Sequence, residues 1–307
     1  MLPQELVNTI VGIIDCTDID TLKSCALACS SLCSATQPIL FRSLTLRGGI
    51  PPDPANYAAV TTLLTESPHI GAYITDLILQ LPSEATYLAG AEDLPKILAK
   101  LARVRRCIIK GGEGCTWYKL GPALCSALLD FVSRQPLDSL RVRSVTCPQL
   151  AFRHLVDSAP DLSFKWVDVS ITNTHWAPAR PASPMITSLA LDQGTETISH
   201  LLSRPDYAPY VASLRRVSLR DGLGMPLVNA TARTLEHIRL GRPVSTHSDP
   251  LPPLPPLPIL PSLRAFEIEV DFDASTAPWV SDTIVDVLRS KTRRPGAGWR
   301  PLEQLIF

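Results

Sequence analysis

Apolar residues recur along this chain in two different periods. At the start, Leu2, Leu6, Ile10 and Ile13/Ile14 stand three to four residues apart, which predicts an amphipathic helix over 2–14 with Pro3 in its first turn. The polar run Asp15-Cys16-Thr17-Asp18-Ile19-Asp20 stops it. Asp20 or Thr21 is placed to cap a second helix from Leu22 to about Ala28, and Ser30 or Ser31 a third, which Pro38 should end at Gln37. Beyond residue 40 the period changes. An apolar-x-x-apolar-x-apolar hexamer appears ten times, from Phe41-x-x-Leu44-x-Leu46 to Leu302-x-x-Leu305-x-Phe307. Its middle anchors are 44, 77, 107, 140, 167, 189, 217, 238, 266 and 305. That is 261 residues over nine steps, a mean of 29, with single steps from 21 to 39. Alternation within each hexamer predicts a short strand.

Helix-like stretches separate the hexamers: 55–65, 94–102, 123–132, 149–157, 196–202 and 279–289. Their apolar residues return at i, i+3 and i+4, as Leu124, Leu128 and Phe131 do. Strand, turn, helix and return predict parallel strands joined by crossovers on one side, a repeat array. The expected fold class is therefore α/β: a small three-helix module over 1–46, then an irregular solenoid over 47–307. Its strands would line a concave face, with helices and loops on the convex one.

Composition supports many short elements. There are 29 prolines, and none falls inside a hexamer. Residues 242–262, RPVSTHSDPLPPLPPLPILPS, should be polyproline II. They are read as a strap across the array, with a docking site for a proline-recognition domain as the other reading. Lys+Arg and Asp+Glu are both 29, so a polybasic nucleic-acid binder is not expected. No apolar run approaches a membrane span, and the start has no basic, apolar leader. The eight cysteines are expected reduced, in cytoplasm or nucleus.

Cys25, Cys29 and Cys33, at i, i+4 and i+8, lack a nearby histidine and are read as core residues rather than a zinc site. Gly111-Gly112-Glu113-Gly114 lacks the Lys-Ser/Thr of a phosphate loop. The six histidines are widely spaced, and neither His-Glu-x-x-His nor Gly-x-Ser-x-Gly occurs. No catalytic residue, metal or cofactor is expected.

The run Leu2-Pro3-x-Glu5-Leu6-x-x-x-Ile10-x-x-Ile13, with Asp18, Leu22, Ala26-Leu27-x-Cys29 and Leu40-Phe41-Arg42, resembles an F-box of the fungal type. Leu32 stands where a tryptophan is common in that family. The hexamer array is similar to a degenerate leucine-rich repeat without its Asn ladder. The resemblance implies a non-catalytic substrate receptor of a cullin-based ubiquitin ligase, located in cytoplasm or nucleus. Its F-box would meet a Skp-type adaptor through Leu2, Pro3, Leu6, Ile10, Leu22 and Leu27, and through it cullin. The alternative is a repeat scaffold with no ligase assembly.

A substrate would lie on the strand face, where the residues between anchors project. The basic residues there include Arg106, Arg141, Arg143, Arg216, Arg220 and Arg239, with Trp166 among them. The acidic ones are Asp76, Asp168, Asp192, Glu267 and Glu269. A strip of guanidinium forks would suit an acidic or phosphorylated protein segment.

Overall fold

The computed structural model describes residues 3–14, 16–47, 54–81, 92–112, 114–170, 186–220, 224–241, 257–269, 280, 283–285, 287 and 303–306. The chain forms two compact units, Met1–Asp138 and Ser139–Phe307. The helical module and the first three strands thus share one unit, and the division falls inside the fourth hexamer rather than at 46/47.

The first unit opens with α1 (Gln4–Ile13), α2 (Ile19–Ala28) and α3 (Ser30–Leu40). The cap of α2 is Asp18, whose carboxylate accepts from the Thr21 amide at 3.1 Å. This moves the helix start three residues ahead of the expected one. Pro38 does not end α3 but lies inside its last turn. Near a C-terminus the missing N–H removes one bond, and the helix still closes through Phe41 N–H to the Gln37 carbonyl at 2.9 Å.

Three parallel strands follow: β1 (Ser43–Arg47), β2 (Asp76–Leu81) and β3 (Arg106–Gly111). Between and after them come α4 (Pro54–Glu66), α5 (Asp93–Lys100) and α6 (Pro122–Arg134). Leu77, Leu79, Cys107 and Ile109 are buried on the strands, as are Leu94, Ile97 and Leu98 on α5 and Leu128, Phe131 and Val132 on α6. Two contacts fix the layers. The buried Gln135 side chain donates to the Leu101 carbonyl at 2.7 Å and accepts from the Val104 amide at 3.2 Å. At Gly71 a Cβ would lie 2.7 Å from the Lys100 carbonyl, so only glycine permits the approach.

The second unit holds seven parallel strands in chain order: β4 (Ser139–Pro148), β5 (Asp161–Ser170), β6 (Ser188–Leu191), β7 (Arg216–Leu219), β8 (His237–Gly241), β9 (Ala265–Glu269) and β10 (Gln304–Ile306). Their crossovers include α7 (Gln149–Val156), α8 (Glu196–Leu202), α9 (Ala208–Val211) and α10 (Met225–Thr231). Residues 280, 283–285 and 287 are helical, inside the stretch expected to be a helix. Of the proline-rich stretch only 257–262 lie among the described residues. There Leu260 is buried, and the Ser262 hydroxyl donates to the Arg233 carbonyl at 2.8 Å just past α10.

All ten hexamers contribute to a strand, but the fifth is out of frame. Leu140, Leu162, Leu189, Val217, Ile238, Phe266 and Leu305 stand in one register. The fifth anchor set is therefore Ala159-x-x-Leu162-x-Phe164, and Val167 and Val169 pair instead with Val145 and Cys147 in the long second halves of β4 and β5. The true frame contains Pro160, just ahead of the strand.

A recurrent backbone bond ties successive strands. The carbonyl of the first x residue in one hexamer accepts two consecutive amides of the next. Arg42 does so from Thr75 and Asp76, and Pro160 from Thr187 and Ser188. The pattern continues with Thr187 to Arg215 and Arg216, Arg215 to Glu236 and His237, Glu236 to Arg264 and Ala265, and Arg264 to Glu303 and Gln304. Main-chain groups are present in every residue, so this tie survives sequence degeneracy.

Within each unit the strands alternate. Leu77, Leu79 and Leu81 are buried while Asp76, Ile78 and Gln80 are half-buried, and Val217 and Leu219 are buried beside exposed Arg216. Parallel sheets covered on both faces read as continuous apolar runs. The alternation here leaves one set of side chains open for recognition.

Candidate protein-interaction surfaces

In the helical module α1 is apolar on two faces. Val7 and Val11 point inward and form the module's core with Leu22, and Ile14, Leu32, Ala35, Ile39 and Leu40 pack against it. The stripe expected to meet an adaptor faces out of the module: Leu6 is 51% exposed, Ile10 50% and Ile13 79%. On α2, Leu27 is 89% exposed. Pro3 is exposed as well, and Leu2 lies outside the described residues. Leu22 is a correction to the expected adaptor contacts. Its side chain is fully buried inside the module and has no surface to offer. The spacing of Leu22 from Leu27 hid this, because five residues along a helix reach a different face.

The three helical cysteines are not core residues. Cys29 is exposed, and Cys25 and Cys33 are half-buried. The break between α2 and α3 falls at Cys29, so a single buried column never forms. By contrast Cys107 and Cys147 are buried in strands, and burial pushes both thiols up to about 12. Cys115 is pushed to about 11, also chiefly by burial.

On the open strand face the acids neutralise much of the expected arginine strip. In the first unit Arg106 makes a bidentate bond to Asp76, with Nη2 to Oδ2 at 2.8 Å, and Arg42 approaches the same carboxylate at 3.3 Å. In the second unit Arg220 approaches Asp192 at 3.8 Å. Arg239 reaches Glu267 at 3.4 Å and Glu269 at 3.0 Å. Exposed pairs of this kind add little stability, about 0–1 kcal/mol each, but they occupy the guanidinium donors. Among the described residues Arg141, Arg143 and Arg216 have no acidic partner; Arg141 and Arg216 are exposed and Arg143 half-buried.

Trp166 is 53% exposed. Lys165 stands beside it, with its ammonium 4.5 Å from the indole centre and 3.1 Å from Asp192. The out-of-frame fifth hexamer had hidden Lys165. The alternation Leu162-x-Phe164 just before it was the signal that places it on the open face.

No helix among the described residues is long and apolar enough to cross a membrane. Among the same residues no group of three or more His, Cys, Asp or Glu is placed to hold a metal ion. Compared with known proteins, the chain matches no family model, and no curated protein is significantly similar to it.

Proposed function

We propose that the chain is a non-catalytic substrate receptor of a cullin-based ubiquitin ligase. Its helical start docks a Skp-type adaptor, which bridges to cullin, and its leucine-rich-repeat-like solenoid holds a protein substrate on the strand face. The observation that carries this reading is the outward apolar stripe Leu6, Ile10 and Ile13, with Leu27, on a module whose own core is already filled by Val7, Val11 and Leu22. Large aliphatic side chains left exposed in a stripe along one helix, with a further exposed leucine on α2, suit a partner protein. The receptor's contribution is proximity: it raises the local concentration of a substrate lysine near the conjugating enzyme and supplies no chemistry of its own.

One observation favours the second reading, a repeat scaffold without ligase assembly. Leu32, where the resembled family often has tryptophan, packs against the module's own core. Co-expression with a Skp-type adaptor and cullin separates the two. The receptor reading expects all three chains to co-purify, and recovery of this chain alone would leave the scaffold.

A further inference from the structure

Strands β4 and β5 break their alternation at the same register. Ser144 has φ 54° and Trp166 φ 51°, while Arg143 pairs with Lys165 and Val145 with Val167 on either side. L-residues seldom adopt this region, and a bulky indole least of all. The kink places two consecutive side chains of each strand on the open face. Arg143 and Ser144 therefore lie beside Lys165 and Trp166, between the paired positions Val142↔Phe164 and Val145↔Val167.

The neighbourhood holds this strained backbone in place. The Trp166 amide donates to the Gln193 carbonyl at 2.6 Å. Gly194, itself at φ 68°, approaches so closely that a Cβ would lie 3.3 Å from the Trp166 Cα. The charge of Lys165 is committed to Asp192 and to the indole. Asp168, further along β5, accepts from the Thr197 hydroxyl at 3.0 Å. Arg141 and Arg143 remain without an acidic partner among the described residues. Backbone strain kept at an exposed aromatic marks a place where the side chain's position matters more than the stability it costs.

We propose that Trp166, Arg141 and Arg143 form a preorganised anchor for an extended acidic peptide of the substrate. An apolar or proline side chain of the peptide stacks on the indole, and a neighbouring Asp or Glu carboxylate is taken by the arginines. Charge complementarity selects this occupant at the arginine end of the anchor, because neither the Arg141 nor the Arg143 guanidinium has an acidic partner among the described residues, while Asp168 lies beyond Trp166 and is held by the Thr197 hydroxyl. The site rests on the receptor reading, but its test makes no use of the adaptor.

The test is selection of genetically encoded random linear peptides on the immobilised full chain, followed by binding of the enriched sequences to variants. The expected peptides carry Asp or Glu next to a proline, aliphatic or aromatic residue. Arg141→Glu with Arg143→Glu, and separately Trp166→Gly, should each weaken them by about tenfold or more. Trp166→Gly should also leave the melting temperature unchanged or raised, since glycine removes the φ strain. Three results would each overturn the proposal: no enrichment, enrichment without acidic residues, or binding indifferent to both variants. A large fall in melting temperature for Trp166→Gly would equally make the indole a structural residue. Peptide binding by a chain that captures no adaptor would sink the ligase reading while leaving this anchor intact.

Discussion

At the scale of single residues, burial separates side chains that look alike in sequence. Leu6 and Leu22 are both leucines of short helices, yet one is half exposed and the other fully buried. Leu22→Ala should cost about 2–4 kcal/mol of unfolding free energy through lost transfer and a residual cavity. Leu6→Ala should stay within about 0.5 kcal/mol of wild type, as exposed positions do. Urea denaturation of the two variants checks both.

The buried thiols give a pH dependence. The ordinary thiol value of 9.0 is raised by burial to about 12 at Cys107 and Cys147. In the unfolded chain these groups ionise above pH 9, whereas in the native fold they stay protonated. Their contribution is thus fully present below pH 9 and lost as pH rises towards 12. The urea midpoint should fall between pH 8 and pH 10, and fall less in Cys107→Ala with Cys147→Ala. Equal slopes would contradict the assignment.

At the scale of elements, α2 depends on Asp18. Removing the carboxylate in Asp18→Ala leaves the Thr21 amide without its side-chain partner and should lower stability by about 1 kcal/mol. Thermal melting of the variant against wild type measures it.

Elements were largely legible from spacing. The crossover over Glu196–Leu202 was bounded to the residue, and nine of the ten hexamers sit in the expected frame. The fifth differs because Phe164 belongs to two overlapping apolar patterns, Ala159-x-x-Leu162-x-Phe164 and Phe164-x-x-Val167-x-Val169. Only the kink at Ser144 and Trp166 resolves the ambiguity, and a positive φ on serine and tryptophan has no sequence signature. For the same reason the candidate peptide anchor was only half visible. Trp166, Arg141 and Arg143 could be named from the sequence, but Gly194 and the pairing of Lys165 with Asp192 depend on contacts between strands. Charge pairing along the strip was also hidden, because register decides which arginine meets which acid.

At the scale of the whole molecule, each unit stacks short parallel strands in which a backbone carbonyl of one repeat accepts two amides of the next. This bonding needs no particular side chain and tolerates steps of 21 to 39 residues between anchors. Proline collects between the strands, where a missing N–H costs least. The arrangement leaves two surfaces to meet partners: the apolar stripe of α1 with Leu27, and the open strand faces. The proposed receptor function joins the two in one chain, and its central claim is that the stripe docks an adaptor.

The most direct test is a binding titration of the full chain with a purified Skp-type adaptor, repeated with Leu6→Asp and Ile10→Asp together. Both side chains lie outside the module's core, so the variant should keep the wild-type circular dichroism and melting temperature. The account predicts a one-to-one complex for wild type and a loss of about 100-fold or more in affinity for the variant, as burying two aliphatic side chains implies. No binding by wild type, or equal binding by a folded variant, would contradict it.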